Sequence, residues 1–320
     1  MIGGQAVIEG VMMKNQDQYA VAVRKTNKEI VVDTQEYVSY IKKYPILRIP
    51  IVRGVASFVE SLVVGMKTLT YSASFFEDEE EEQTPSKVGT WFDKLCKGKG
   101  EDILMGLTVC LSMVMAIGLF MILPYFLANL IKPWTQSNIL ISFVEGLVRI
   151  GLFLSYMILI SKMKDIKRTF MYHGAEHKTI NCLEHGEDLT IENVRKHSRF
   201  HKRCGTSFLL IVMVVSVIFF MFIQVEGTMA RIGVRLLLVP VIAGVSYEFI
   251  RLAGRKENRF VNWLSRPGMA LQGLTTKEPD DDMIEVAIRS VEAVFDWKPY
   301  VEALRNGEVE GCCPLQEEQK

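Results

Sequence analysis

The chain has 320 residues, enough for one or two domains with a core of their own, and 49% of them are apolar, with a positive mean hydropathy of +0.18. Its 37 Lys and Arg balance 37 Asp and Glu, so no global field recruits nucleic acid. Six dispersed cysteines (Cys96, Cys110, Cys182, Cys204, Cys312 and Cys313) exclude a disulfide framework and read as reduced thiols.

Residues 1–50 open without the basic n-region and long apolar h-region of a cleavable signal. Val7-Ile8 and Val11-Met12 flank Gly10, and Ala20-Val21-Ala22-Val23 runs into the polar turn Lys25-Thr26-Asn27-Lys28-Glu29 and then Ile30-Val31-Val32. This alternation predicts a small antiparallel β-meander. Residues 51–76 carry apolar positions at helical spacing but also Glu60, Lys67 and many small residues. They predict an interfacial or re-entrant helix, with a buried helix of a soluble part as the alternative. Residues 77–102, with the acidic block 77–82 and the basic Lys97-Gly98-Lys99-Gly100, read as a solvated linker.

The chain then changes solvent. Residues 103–131, 139–161, 206–225 and 232–252 are four apolar runs, each able to cross a hydrocarbon core of about 30 Å at about 1.5 Å per residue. The first and third carry no charge; the second carries Glu145 and Arg149, and the fourth only Arg235, Glu248 and Arg251. The connection 162–205 holds ten Lys and Arg, whereas the two short connections offer Lys132 and Arg231. That asymmetry places the long loop and both termini in the cytoplasm of a multi-pass protein of the bacterial cytoplasmic membrane. The expected class is therefore an α-helical polytopic membrane protein with about four transmembrane helices and a small α+β cytoplasmic portion. In the last stretch, 253–320, residues 258–274 read as irregular. Residues 281–296 make an amphipathic helix with one apolar stripe (Ile284, Ala287, Ile288, Val291, Val294 and Phe295), expected to pack on the meander.

All five histidines fall between the second and third runs, at His173, His177, His185, His197 and His201. His173 and His177 are i, i+4, so their rings stack on one helix face and can grip one ion. With Glu176 they spell His-x-x-Glu-His, the order seen in inverzincins, where the carboxylate polarises a metal-bound water. His197 and His201 repeat the spacing. Gly186 as a C-cap, with Asp188 or Thr190 as an N-cap, predicts a helical hairpin over 162–205 with its tip near 187. That register would set His173 opposite His201 and His177 opposite His197, with Glu176 between them and Cys204 as a further donor. Helix-capping or lipid-facing roles for these histidines are the plain alternative. Glu145 and Arg149, also i, i+4, read as a charged pair within the second span. No P-loop, Gly-x-Gly-x-x-Gly, Gly-x-Ser-x-Gly or kinase pattern is present.

Four runs together, namely Gly3-Gly4-Gln5-Ala6-Val7-Ile8-Glu9-Gly10-Val11-Met12-Met13, Tyr172 to Ile180 around the histidines, Cys204-Gly205-Thr206-Ser207-Phe208 and Leu274-Thr275-Thr276-Lys277-Glu278-Pro279, resemble the YqhQ-like family of bacterial integral membrane proteins. The resemblance covers nearly the whole chain and implies metal dependence, carried by His173, Glu176, His177, His197, His201 and Cys204. It supplies no substrate. Two functions are expected from different classes. One is a metal-dependent hydrolase in which His173, His177, His197 and His201 hold a divalent ion such as zinc and Glu176 is the general base on a membrane-proximal substrate. The other is a non-enzymatic membrane scaffold, assembly factor or transport component. The partners expected are membrane lipids, with a second copy or another membrane protein left open and nucleic acid excluded.

Overall fold

Alternation in the first 36 residues is realised as a sheet. A computed structural model describes residues 2–76, 100–201, 204–223, 225, 227–253 and 259–308, with backbone alone at 101–105, 228, 252–253 and 259–265. The acidic block, the Lys97–Lys99 stretch, Cys96, Cys312 and Cys313 lie outside the described residues. Strands β1 (Ile2–Val7), β2 (Gly10–Asn15), β3 (Gln18–Arg24) and β4 (Ile30–Glu36) pair antiparallel in chain order. Gly10 sits where a Cβ would lie 2.3 Å from the Ala22 carbonyl oxygen of β3, so the strands approach only because it has none.

Successive side chains of a strand point to opposite faces, and here both faces are covered. Val11, Met13, Ala20 and Ala22 join one buried cluster with Tyr172, Ala175 and the helix at 281–294, while Val7, Met12, Val21 and Val23 join a second with Val64. The helices, in chain order, are α1 (Tyr40–Lys43), α2 (Val52–Ala73), α3 (Gly100–Ile117), α4 (Leu123–Asn129), α5 (Asn138–Ile160), α6 (Lys164–Glu184), α7 (Ile191–Lys196), α8 (Gly205–Phe222), α9 (Thr228–Ala253), α10 (Arg259–Thr275), α11 (Asp281–Val294) and α12 (Trp297–Arg305). A π-helical turn, Gly118–Ile122, joins α3 to α4.

Among the described residues, four helical stretches are long and apolar enough to cross a membrane: Gly106–Asn129, Asn138–Ile160, Gly205–Phe222 and Met229–Arg251. They coincide with the four apolar runs. Helix α2 is not among them. Its small face (Gly54, Gly65, Thr68 and Ser72, with Val64) is buried, and Val59, Leu62, Val63 and Met66 on the other faces stay exposed. Two glycines let α2 approach its neighbours: a Cβ at Gly65 would lie 2.7 Å from Gln5 Oε1 of β1, and one at Gly54 would lie 2.8 Å from Gly244 of α9. Arg53 and Glu248 of α9 close that end with an ion pair at 2.6 Å.

The stretch read as irregular, 258–274, is instead α10. Pro267 and Gly268 look like breakers in the sequence, yet Gly268 serves a contact: a Cβ there would stand 2.7 Å from Ser207 Oγ. The hairpin also differs from expectation. Its second arm, α7, is only 6 residues long and ends at His197, whose ψ of 159° is extended. Residues 197–201 and Cys204 are not helical.

The chain divides into two units, one of Met1–Phe76, Met157–Val212 and Val239–Lys320, the other of Glu77–Tyr156 and Met213–Leu238. In the second, Glu145 and Arg149 are joined by a partner the sequence reading left out. Arg235 Nη1 and Nη2 donate to the two Glu145 oxygens at 2.5 and 2.7 Å, and Arg149 Nη2 donates to Oε1 at 2.8 Å. Arg149 also donates to the Phe120 carbonyl and to Ser216 Oγ.

Candidate metal centre

The site belongs to the first unit and begins with the seating of α6. Gly174 faces the segment after α10, where a Cβ would fall 2.0 Å from the Lys277 carbonyl oxygen, and the Lys277 amide donates to the Phe170 carbonyl at 2.8 Å. This contact brings the Leu274–Pro279 run against the histidine face of α6. The rings of His173 and His177 then meet edge to face, with centroids 4.4 Å apart. His173 Nδ1 lies 2.9 Å from the Thr275 carbonyl oxygen, and His177 Nδ1 lies 2.7 Å from that of Arg199. A carbonyl can only accept, so each Nδ1 carries a proton, and in the neutral ring each Nε2 offers a lone pair.

The third donor is Cys204, the residue before α8. Its Sγ is 3.3 Å from His173 Nε2, and the donor atoms of His173, His177 and Cys204 all lie within 4.8 Å of one another. Burial alone would raise the Cys204 thiol, but hydrogen bonding with His177 and with Thr206 outweighs it and holds the thiol below its ordinary range. Burial pushes His177 down. A His177 ring disfavoured as a cation, beside a thiol held below its ordinary range, suits a metal ligand set.

The non-helical stretch 197–201 keeps its place because side chains hold its backbone. Asn181 Nδ2 donates to the Ser198 and Phe200 carbonyls at 2.6 and 3.0 Å, and Lys178 Nζ to that of Arg195 at 3.0 Å. Gln272 of α10, fully buried, clamps His201 from both sides: Oε1 accepts from its amide at 2.9 Å and Nε2 donates to its carbonyl at 2.8 Å. Arg199 Nη1 donates to the Thr276 carbonyl at 2.7 Å.

Glu176 lies on the same helix, 5% exposed, and its Oε2 has no hydrogen-bond partner. Strand β1 passes directly over it: a Cβ at Gly4 would stand 2.8 Å from Glu176 Cδ. Burial raises the Glu176 carboxyl from 4.5 to about 8; a charged His173 would pull it back and a Cys204 thiolate would push it further. The unfolded chain therefore releases this proton near 4.5 and the folded chain only near 8, so metal-free protein loses stability as the pH climbs between those values. Glu176→Gln is expected to remove that slope and to stabilise the metal-free protein by a few kcal/mol at about pH 9 while changing little at about pH 4. Thermal unfolding of chelator-stripped wild type and variant at the two pH values checks it.

Four imidazoles do not converge. The expected pairing counted residues along two helices, and the second arm is helical for only 6 residues. His173 therefore meets Cys204, and His177 meets Arg199 and His201. The ring of His201 is 5.7 Å from that of His177, but its Nε2 is directed at Glu184 Oε2, 3.4 Å away, and burial pushes its pKa down to about 4. His197 sits at the hairpin tip beside His185, Glu187 and Cys182, apart from the centre.

The profile described as protein of unknown function (DUF1385) matches residues 49–297. The chain belongs to this family. It is also 36% identical over 296 residues, 90% of each chain, to the uncharacterized protein YqhQ of Bacillus subtilis (strain 168). No solved structure matches it. The DUF1385 segment contains all three donors, Glu176 and the clamps Asn181 and Gln272; Gly4 precedes it.

Sequence reasoning missed Gln272, Asn181 and the Thr275 carbonyl as the groups that orient the donors. One signal was in view: the run Leu274–Pro279 stands out, but as the start of a helix. Backbone carbonyls leave no mark in a residue code.

Proposed function

We propose that this chain is a polytopic protein of the bacterial cytoplasmic membrane that holds a divalent ion such as zinc on His173, His177 and Cys204 at the cytoplasmic face and hydrolyses a membrane-proximal substrate. The observation that carries the reading is the donor triad. Two imidazoles are fixed by carbonyls at Nδ1, and one donor atom from each ring and the Cys204 sulfur all lie within 4.8 Å of one another. Three protein donors in a tetrahedral set leave one position free for water or substrate, the arrangement of catalytic rather than structural zinc. An ion held there would act as a Lewis acid.

The protein's own groups do the rest. His177 and Thr206 hold the Cys204 thiol below its ordinary range. Glu176, buried, without a partner at Oε2 and raised to about 8, is placed to take up and release a proton near neutral pH. The four apolar helices and the Lys and Arg concentrated in 162–205 support the membrane setting. An open apolar cleft of about 470 Å³, lined by Leu47, Ile51, Val55, Val59, Pro240 and Val241, is suited to lipid chains.

Glu176→Gln separates chemistry from structure. The variant is expected to keep the wild-type metal content and to fail to complement a deletion strain. Full complementation by a metal-loaded Glu176→Gln protein would make the centre a structural element of a membrane scaffold.

A further inference from the structure

A second donor group stands at the tip of the α6–α7 turn, made of residues the metal centre does not use. We propose that Cys182, Glu187 and His197, with His185 as fourth donor, bind a second zinc-type ion that clips the two arms of the turn together. The site is independent of the reading above.

One atom from each of Cys182, Glu187 and His197 already lies within 4.8 Å of the other two. The turn that gathers them is tightly built. The Gly186 amide donates to the Leu183 carbonyl at 3.1 Å, and the Glu187 amide to that of Cys182 at 3.2 Å. Gly186 takes a φ of +71°, which reverses the chain. Thr190 caps α7 by accepting from the Asn193 amide at 3.2 Å, and α7 delivers His197 back beside Cys182. Arg305 of α12 holds the tip from outside, donating to the Gly186 carbonyl at 2.8 Å and to Asp188 Oδ1 at 3.1 Å.

The donors are chemically ready for an ion. His197 Nε2 is buried without a hydrogen-bond partner, with Glu187 Oε2 3.5 Å off, and the His197 side chain is 10% exposed. A buried ring nitrogen left bare carries a desolvation cost that a ligand would offset. Burial keeps His197 below its usual range, so that nitrogen offers a lone pair. Cys182 Sγ makes long contacts of 3.8 and 3.6 Å to the Glu187 and Asp188 carbonyls. Its thiol, pushed up to about 12 by burial, keeps its proton until an ion displaces it. His185 Nδ1 is taken by the Asn181 carbonyl at 2.7 Å, which leaves Nε2 to bind, and its ring is 4.8 Å from that of His197.

Sulfur, nitrogen and one carboxylate oxygen select a zinc-type ion over magnesium or calcium, which take oxygen sets. Donors around tetrahedral zinc stand about 3.3–3.6 Å apart, so the group must contract by about 1 Å. Glu187, its side chain 45% exposed, has the freedom to do so. Four protein donors leave no open position, which makes this a structural clip.

The test is the zinc content of full-length protein in detergent, loaded with zinc and freed of excess. Wild type is expected to hold two ions per chain, Cys182→Ser/His197→Ala one, and His173→Ala/His177→Ala one. A tip variant that keeps the wild-type content, whether one ion or two, overturns the inference and leaves the first centre standing. Should the tip variant lose everything, Glu187→Gln at its exposed position decides: half the wild-type zinc, or zinc bound at least 10-fold more weakly at one of two sites, supports the clip, and any other result overturns it.

Discussion

His177→Ala is expected to weaken zinc at the first centre by more than ~100-fold. Removing a group that merely orients a ligand costs 10–100-fold in metal affinity, and His177 is itself a ligand. The variant also strands the Arg199 carbonyl, which loses its 2.7 Å donor, so some loss of stability accompanies the loss of metal. His201→Ala is the informative contrast. Its ring is 5.7 Å from that of His177 and is also buried, yet it faces Glu184, so the affinity is expected to change by less than ~10-fold. Competition with a chromophoric chelator measures both, with circular dichroism as the check on folding. Equal losses in the two variants would mean that the site is not the Cys-His-His set described above.

The second large effect lies in the other unit. Glu145→Gln is expected to destabilise the protein by ~3–5 kcal/mol, the cost of removing one member of a buried ionic group. Glu145, Arg149 and Arg235 have side chains 2%, 7% and 6% exposed, and the single carboxylate faces both guanidiniums. Its loss leaves two like charges together. Aromatic faces soften this: the Phe220 ring is 5.0 Å from Arg149 and 4.9 Å from Arg235. Arg149→Met should be milder, because it leaves the Glu145–Arg235 pair matched. Thermal unfolding in detergent ranks the variants, and a Glu145→Gln transition at the wild-type temperature would show that the network contributes nothing.

Those same residues show what a sequence displays and what it hides. The i, i+4 pair Glu145 and Arg149 is visible because a helix repeats locally, whereas Arg235 is 90 residues from Glu145, and only the packed structure makes it the third member. The meander is legible from strict alternation, and the stripe on α11 from its helical period. The four long helices are legible because their length and apolarity exceed what other elements use. Helix α10 is not, since Gly268 marks a helix contact and reads as a breaker. At the metal centre, His173 and His177 follow from spacing on one helix. Cys204 and His197 exchange places because α7 stops after 6 residues, and a residue count cannot foresee where a short helix gives way to extended chain. Gly4 is the subtlest case. On β1 it proves to be clearance for the Glu176 side chain, which no residue spacing announces.

Zinc K-edge X-ray absorption on purified Cys182→Ser protein tests the centre most directly, since that background offers no thiolate at the hairpin tip. One sulfur at about 2.3 Å and two imidazole nitrogens at about 2.0–2.1 Å are expected, with the sulfur shell gone in Cys182→Ser/Cys204→Ser. A shell of oxygen and nitrogen alone, or a sulfur that survives Cys204→Ser, would contradict a centre built from the α6 histidines and the cysteine that precedes α8.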